Sequence, residues 1–525
     1  MMRGHALRHI RQCCVIATLA GALPFPLLSQ NAPVSEAPLS VIDWLDRQPA
    51  AYPDPGRAGT ADPNEPPVAD TGAVPQIETS VIGERAPRRI GLVPPDVTGL
   101  PPGLWQGSDA AAVTELLTTL PLPNLPAAQS LLYTVLLTEA LGPGQSASAA
   151  DMLALARVRK LVEAGALDPA ASLIEQAGIT LSPAHFDLWM EISLLNGTED
   201  HACTVLQANP HLTRDYANRI FCAGRARQWD NAALTFGSAQ ALGLMPPEKL
   251  AVLDRFLHPE SFEEAAPLPQ PRDMDPMTFR LFETIGEPLP TGALSRAYAV
   301  ADLRDLAGWK AQLEAAERLT RAGALPDNRL LGLYTERKAA ASGGIWDRVA
   351  AVQRFDVALS TGSTDAVAKT LATAWKAMAE AGLEVSFASL FAERLAVYDL
   401  DGPAAALAGK IALLSPNYEA VAATATEPDF ITGIATGQAL GDRPTGNYQA
   451  AIYDAFSTAA PRSDLIALVR QNRLGEAILN CLKLLHRGVD GNQTALREGL
   501  ATLRALGLED TARRAALQIL LREVS

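Results

Sequence analysis

From residue 108 to the C-terminus, apolar residues recur at three- and four-residue intervals, and no stretch alternates apolar with polar. That rhythm places one apolar stripe on each helix and gives a strand nothing to build on. Composition agrees. Hydrophobic residues make up 48% of the chain and aromatics only 6%, so the apolar content is mainly Ala, Leu and Val. Ala and Leu favour helix, whereas aromatic and β-branched residues favour strands. The expectation is an all-α fold, an irregular α-solenoid, with no sheet. Helices are expected in three groups, over 106–258, 273–422 and 446–525, separated by a Pro-rich break at 259–272 and a loop-like break at 423–445. Punctuation such as Leu141-Gly142-Pro143-Gly144, Asp168-Pro169 and Ser182-Pro183 fits helix ends and starts. The short connections imply antiparallel neighbours.

What precedes the helices is different. Residues 1–12 carry Arg3, Arg8 and Arg11 and no acid, and 13–25 are apolar. A basic start and an apolar run shorter than the roughly 20 residues of a membrane span describe a signal peptide over 1–30. Cleavage is expected between Leu23 and Val34; left uncut, the segment would anchor the chain to the inner membrane. Residues 31–89 are rich in Pro, Ala, Gly and Asp without apolar periodicity, and read as a disordered linker. Within them, 39–46 places Val41, Trp44 and Leu45 on one face of a short docking helix. Residues 90–105 hold too many prolines for helix and too many apolar side chains for free coil. They are expected to form an extended strap anchored by Trp105, which would sit between the first helices and cover an exposed end of the array.

Formal charge is −14, and −14 − 3 = −17 once the three arginines of 1–12 are removed. An acidic body without a basic stripe repels phosphate backbones, which excludes nucleic acid as a partner. Cys13 and Cys14 would leave with the signal, leaving Cys203, Cys222 and Cys481. His201, Cys203, His211 and Cys222 offer a His₂Cys₂ set, but His201 and Cys203 are spaced too tightly for one helix to aim both inward. No metal is expected. A Cys203–Cys222 disulfide between helices over 198–207 and 213–223 is preferred, although that register is off by roughly 9 Å at about 1.5 Å per residue.

Trp229, Ala232, Phe236 and Ala239 follow one another at spacings of three, four and three. This large–small–large–small order resembles the second helix of a tetratricopeptide repeat, in which such residues form the seam between helices. Leu167, Ala170, Ile174 and Ala177, and Leu474, Ala477, Cys481 and Leu484, share the spacing. The whole layout of signal, Pro-rich tract and Ala/Leu-rich helices resembles uncharacterised exported helical proteins of alphaproteobacteria.

Catalytic patterns are missing. There is no His-Glu-x-x-His, no Ser with Lys three positions on and no glycine-rich phosphate loop; Gly144-Gln145-Ser146-Ala147-Ser148 lacks the last Gly of a nucleophile elbow. No cofactor is expected. The densest grouping of aromatics and cations is Tyr334, Arg337, Trp346 and Arg348 around Gly343-Gly344. It is either a groove that takes an acidic or C-terminal peptide, or plain helix capping with Trp346 packed at a junction. The expected function is a periplasmic scaffold or adaptor that binds a protein or peptide partner in the cell envelope. The alternative is a cell-wall enzyme built, like lytic transglycosylases, on a helical superhelix, although no Glu-Ser motif of that kind is recognisable.

Overall fold

The structure is a computed structural model that describes residues 88–522 with Asp305 excepted; the expected signal peptide, the linker and Trp44 lie outside the described residues. Those residues form twenty-five α-helices, four short 3₁₀ turns and one two-stranded ladder of two residues per strand. The fold is an all-α helical array. Successive helices pack as antiparallel neighbours, for example Ala147–Ala164 on Leu167–Ala177, Ile345–Thr361 on Thr364–Ala379 and Leu474–Val489 on Gln493–Ala505. The Pro-rich stretch over 259–272 interrupts the helices without opening the core, because Pro276–Thr284 packs back on Pro183–Asn196 and Pro247–Leu257. A chain of ion pairs reinforces that junction. Buried Glu199 takes Arg280 at 2.8 Å, Arg280 also holds Glu283 at 2.9 Å, and Glu283 takes Arg304 at 2.6 Å.

The array closes on itself. Its first long helix, Pro126–Leu137, packs against its last, Glu509–Leu521, and the Ala127 amide donates to Gln518 Oε1 at 2.9 Å in the buried seam. Trp105, fully buried, lies over Gly475 at the start of the Leu474–Val489 helix. A methyl group at Gly475 would stand 2.3 Å from the indole. Backbone bonds frame that contact, Gly475 N to Leu104 O at 3.0 Å and Gly107 N to Asn472 O at 2.9 Å. Trp105 therefore joins the N-terminal strap to the C-terminal helices. The end it was expected to cover is not exposed, because the chain's own last third packs there.

The strap is less extended than its prolines suggest. Pro95–Thr98 makes one helical turn, since proline at the first helical position gives up a donor that has no partner there anyway; Gly99 ends it at φ 69°. Nor is the fold wholly free of strand. Arg89–Ile90 pairs antiparallel with Ala140–Leu141, and Leu92 N and Val93 N both donate to Leu137 O. The strap thus takes up carbonyls that the end of the Pro126–Leu137 helix cannot satisfy by itself. Arg157 completes this arrangement from below. Its buried guanidinium donates to Leu136 O at 2.6 Å, Ile90 O at 2.8 Å and Thr138 O at 2.8 Å. One turn on, buried Lys160 donates to Leu120 O at 2.8 Å and Glu163 at 2.6 Å.

Two other elements differ from expectation. Within the second expected group, the apolar rhythm over 293–306 predicts one helix, but the stretch forms only a 3₁₀ turn, Arg296–Tyr298, and a four-residue helix, Ala299–Asp302. Inside the expected loop at 423–445 lies a six-residue helix, Phe430–Ala435, whose Asp429 and Thr432 form a reciprocal capping box.

Cys203 and Cys222 are bonded, with Cα atoms 4.9 Å apart. The second helix begins at Tyr216, not 213, because Thr213 is extended and Asp215 caps it by accepting from Ala217 N at 2.7 Å. Cys203 then lies 208 − 203 = 5 residues from the end of its helix, and Cys222 lies 222 − 216 = 6 from the start of the next. The apparent misregister disappears. The bond fits an oxidising compartment, and among the described residues no helix is long and apolar enough to cross a membrane.

Two outcomes follow from this packing. Trp105→Ala should cost about 3–5 kcal/mol in chemical denaturation. Gly475→Ala should also destabilise, and the double variant should lose less than the two singles together, since the methyl no longer meets an indole. Thiol mapping of the folded protein should find Cys203 and Cys222 linked. Burial pushes the Cys481 thiol up to about 12, so alkylation at pH 9 should be slow until the protein is unfolded. Between pH 9 and that raised value the unfolded thiol loses its proton first, so stability should fall as pH rises, and Cys481→Ala should flatten the fall.

Candidate ligand-binding cavity

Closure of the array leaves a half-open cavity of about 1150 Å³ beside the seam. One wall is a single face of the Pro126–Leu137 helix. Pro126, Gln129, Ser130, Tyr133, Thr134 and Leu137 fall at helical intervals of three and four, so all six point the same way. Val93 and Val97 of the strap add an apolar edge, and Val385 adds another from the Glu384–Leu395 helix. The four cations come from three places: Arg296 from the short 3₁₀ turn, Arg318 and Arg321 from the end of Trp309–Thr320, and Arg522 after the last helix.

Internal hydrogen bonds hold these walls in position. Gln129 Nε2 donates to Pro123 O and to Arg321 O, each at 2.8 Å. Tyr133 Oη donates to Ala322 O at 3.0 Å. The turn they grip passes through Gly323 at φ 68°, where a Cβ would lie 3.1 Å from the Tyr133 ring. Arg318 donates to Thr291 O at 3.1 Å and also to Leu294 O. Arg321 donates to Ala381 O at 3.2 Å, and Arg522 donates to Asn124 O at 3.2 Å and stands 3.6 Å from Glu384. Arg296 is half-buried and has neither a carboxylate nor a carbonyl partner among the described residues.

Four arginines face two acids, Glu163 and Asp327, and Glu163 is exposed and taken by Lys160. In a chain of formal charge −14, the cavity is a positive island. Its electrostatics register this. The pKa of Arg318 is lowered by burial first and then by the like charges of Arg296 and Arg321, with Asp302 opposing them. Burial raises the Tyr133 phenol, and Arg296 draws it back in part. The carboxylates whose pKa rises chiefly through desolvation, Asp187, Glu191 and Asp302, line neither this cavity nor a second hollow. That second hollow, about 490 Å³ beside the disulfide, has Arg225, Arg227, Trp229 and Phe256 in its walls.

The residues singled out in the sequence lie elsewhere. Tyr334 is buried and donates to Glu317 at 2.6 Å. Arg348 grips the same carboxylate with two bonds of 2.7 and 2.8 Å. Trp346 is half-buried with its ring 5.2 Å from that of Trp309, and Arg337 is exposed beside Glu336 at 2.9 Å. Tyr334 and Arg348 thus meet on an internal acid and face no open groove, and Trp346 packs at a helix junction. The cavity arginines escaped notice because they are far apart in sequence; only Arg318 and Arg321, three apart at a helix end, carried a local signal. Among the described residues, no group of three or more His, Cys, Asp or Glu could hold a metal ion.

No family model, curated protein or solved structure matches this chain.

The internal role of Arg348 has a measurable consequence. Arg348→Ala leaves the buried Glu317 carboxylate without its cation and should destabilise by about 3–5 kcal/mol. Tyr334→Phe removes one hydrogen bond to a charged group and should cost about 1.5–3 kcal/mol in the same denaturation assay.

Proposed function

We propose that this chain is an exported scaffold that binds a protein or peptide partner in the cell envelope, and that the cavity between its first and last helices receives that partner. The observation that carries this reading is the wall of arginines. Arginine keeps its charge at any physiological pH, so it is suited to holding an anionic group and poorly suited to proton transfer. A cavity of about 1150 Å³ exceeds what a drug-sized ligand fills, and its rigid helical walls suit a site that need not reorganise on binding. The alternative, a cell-wall enzyme on a helical superhelix, draws no support from this site, whose charged groups are mainly cations. Export to the periplasm is supported by the basic start and short apolar run of 1–25 and by a disulfide that needs an oxidising compartment.

A photo-crosslinking residue at Ser130, exposed on the cavity wall, should give a discrete adduct with an envelope protein in intact cells. The same residue at Val357, 60% exposed on the Ile345–Thr361 helix, should not. Equal labelling from both positions, or none from Ser130, would overturn the reading. Fractionation should place the protein in the periplasm with an N-terminus between Leu23 and Val34.

A further inference from the structure

We infer that the cavity takes an acidic peptide segment, one carrying at least two carboxylates beside apolar side chains. This rests on the partner-binding reading and specifies its chemistry. The case begins with the supply of acids. The chain holds 58 Asp and Glu against 44 Lys and Arg, and many arginines elsewhere in the fold find carboxylates. Arg280 and Arg304 do so on Glu283, Arg348 on Glu317, Arg443 on Asp454, and Arg473 on Glu476. At the cavity three arginines do not. Arg318 and Arg321 use part of their donor sets on backbone carbonyls, which orients them without neutralising them. Arg296 has no internal partner among the described residues. Half-buried Arg296 and Arg318 and exposed Arg321 lie close enough for their like charges to repel, and an incoming pair of carboxylates relieves that repulsion while accepting the donors left over.

The remaining walls say what the carboxylates are attached to. Val93, Val97, Leu122, Leu137 and Val385 line the same space as the arginines. An inorganic anion makes no use of an apolar edge, whereas a peptide can place carboxylates on the guanidiniums and aliphatic side chains on the valines. Ser130, Thr134 and Ser386 add hydroxyls suited to a peptide backbone.

The test uses the mature full chain and two fluorescently labelled octapeptides, one alternating leucine with glutamate and one alternating leucine with glutamine, with binding followed by anisotropy at low ionic strength. The glutamate peptide should bind at least about tenfold more tightly than the glutamine peptide, and rising salt should weaken it. Arg296→Gln should lose about tenfold in affinity, the scale expected for one charge-assisted contact. Because Arg296 supports no other group, the variant should keep the parent's Tm. Arg337→Gln, at an exposed arginine outside the cavity, should bind as the parent does. Equal binding of the two peptides, or equal losses from Arg296→Gln and Arg337→Gln, would overturn the inference. So would displacement of the glutamate peptide by inorganic phosphate at equal carboxylate-equivalent concentration, since the site would then hold a simple anion. If Ser130 still crosslinks a partner while the glutamate peptide fails, only the acidic-peptide chemistry is wrong; if Ser130 yields no adduct either, the partner-binding reading falls with it.

Discussion

The seam between the Pro126–Leu137 and Glu509–Leu521 helices is the contact on which the rest of this architecture depends. A helical array grows by adding neighbours, and each added helix leaves an apolar face for the next. Here the last helix meets one near the start of the array, so the faces that would otherwise need terminal caps cover each other. Trp105 over Gly475 fastens the same closure from the strap side. Only glycine lets the indole approach the backbone this closely, and only a large ring fills the gap that closure leaves. The cavity inherits its geometry from this arrangement. One wall belongs to the first long helix, another cation to the residue after the last helix, and the remaining cations to the middle of the chain. Opening the seam would disperse them.

Holding closed a structure whose helices end against one another creates a demand for donors at buried carbonyls. The Ala147–Ala164 helix meets it with two buried cations, Arg157 and Lys160, one turn apart. Arg157 has no carboxylate beside it, and desolvation lowers its pKa to about 10. That cost is offset by three carbonyls from two different elements, each of which would be left without a donor if a shorter side chain replaced it. The guanidinium also ties the strap to the array, since Ile90 O is one of the three. Positive charge is thus spent in two ways in this protein. In the core it satisfies helix ends, and at the cavity it is left partly unspent.

The helices were legible because their apolar stripes are long and regular, and the disulfide because two cysteines fell in consecutive helices. The failures share one cause, which is information held outside the local window. The register of Cys222 is set by Asp215, a cap that delays its helix by one turn relative to the start the apolar rhythm suggests. Asp429 and Thr432 carried an equally local signal, a reciprocal cap of the Asp-x-x-Thr kind, and were passed over among glycines and prolines. Trp105 was readable as buried, but its partner lies in the last third of the chain, and no periodicity announces a contact across that distance. The cluster around Tyr334, Trp346 and Arg348 misled for the opposite reason. Residues near in sequence look like a site, while Glu317, the acid that absorbs two of them, sits on the preceding helices.

The two arginine groups show how a structural cation and a ligand-seeking one are told apart. Arg348 and Arg296 are both half-buried and both near other polar groups, the first on the long Ile345–Thr361 helix and the second on a 3₁₀ turn. Arg348 has its fork filled by both oxygens of one carboxylate, a geometry that leaves little for a newcomer. Arg296 has Tyr133 near it, whose hydroxyl is committed to Ala322 O, and its charge and that of Arg321 both reach Arg318. A fold under no constraint but stability would have placed one of its many acids there, because an unpaired cation beside two others costs energy in any partly dry setting. The proposed acidic ligand would remove that cost by completing Arg296 from outside the chain.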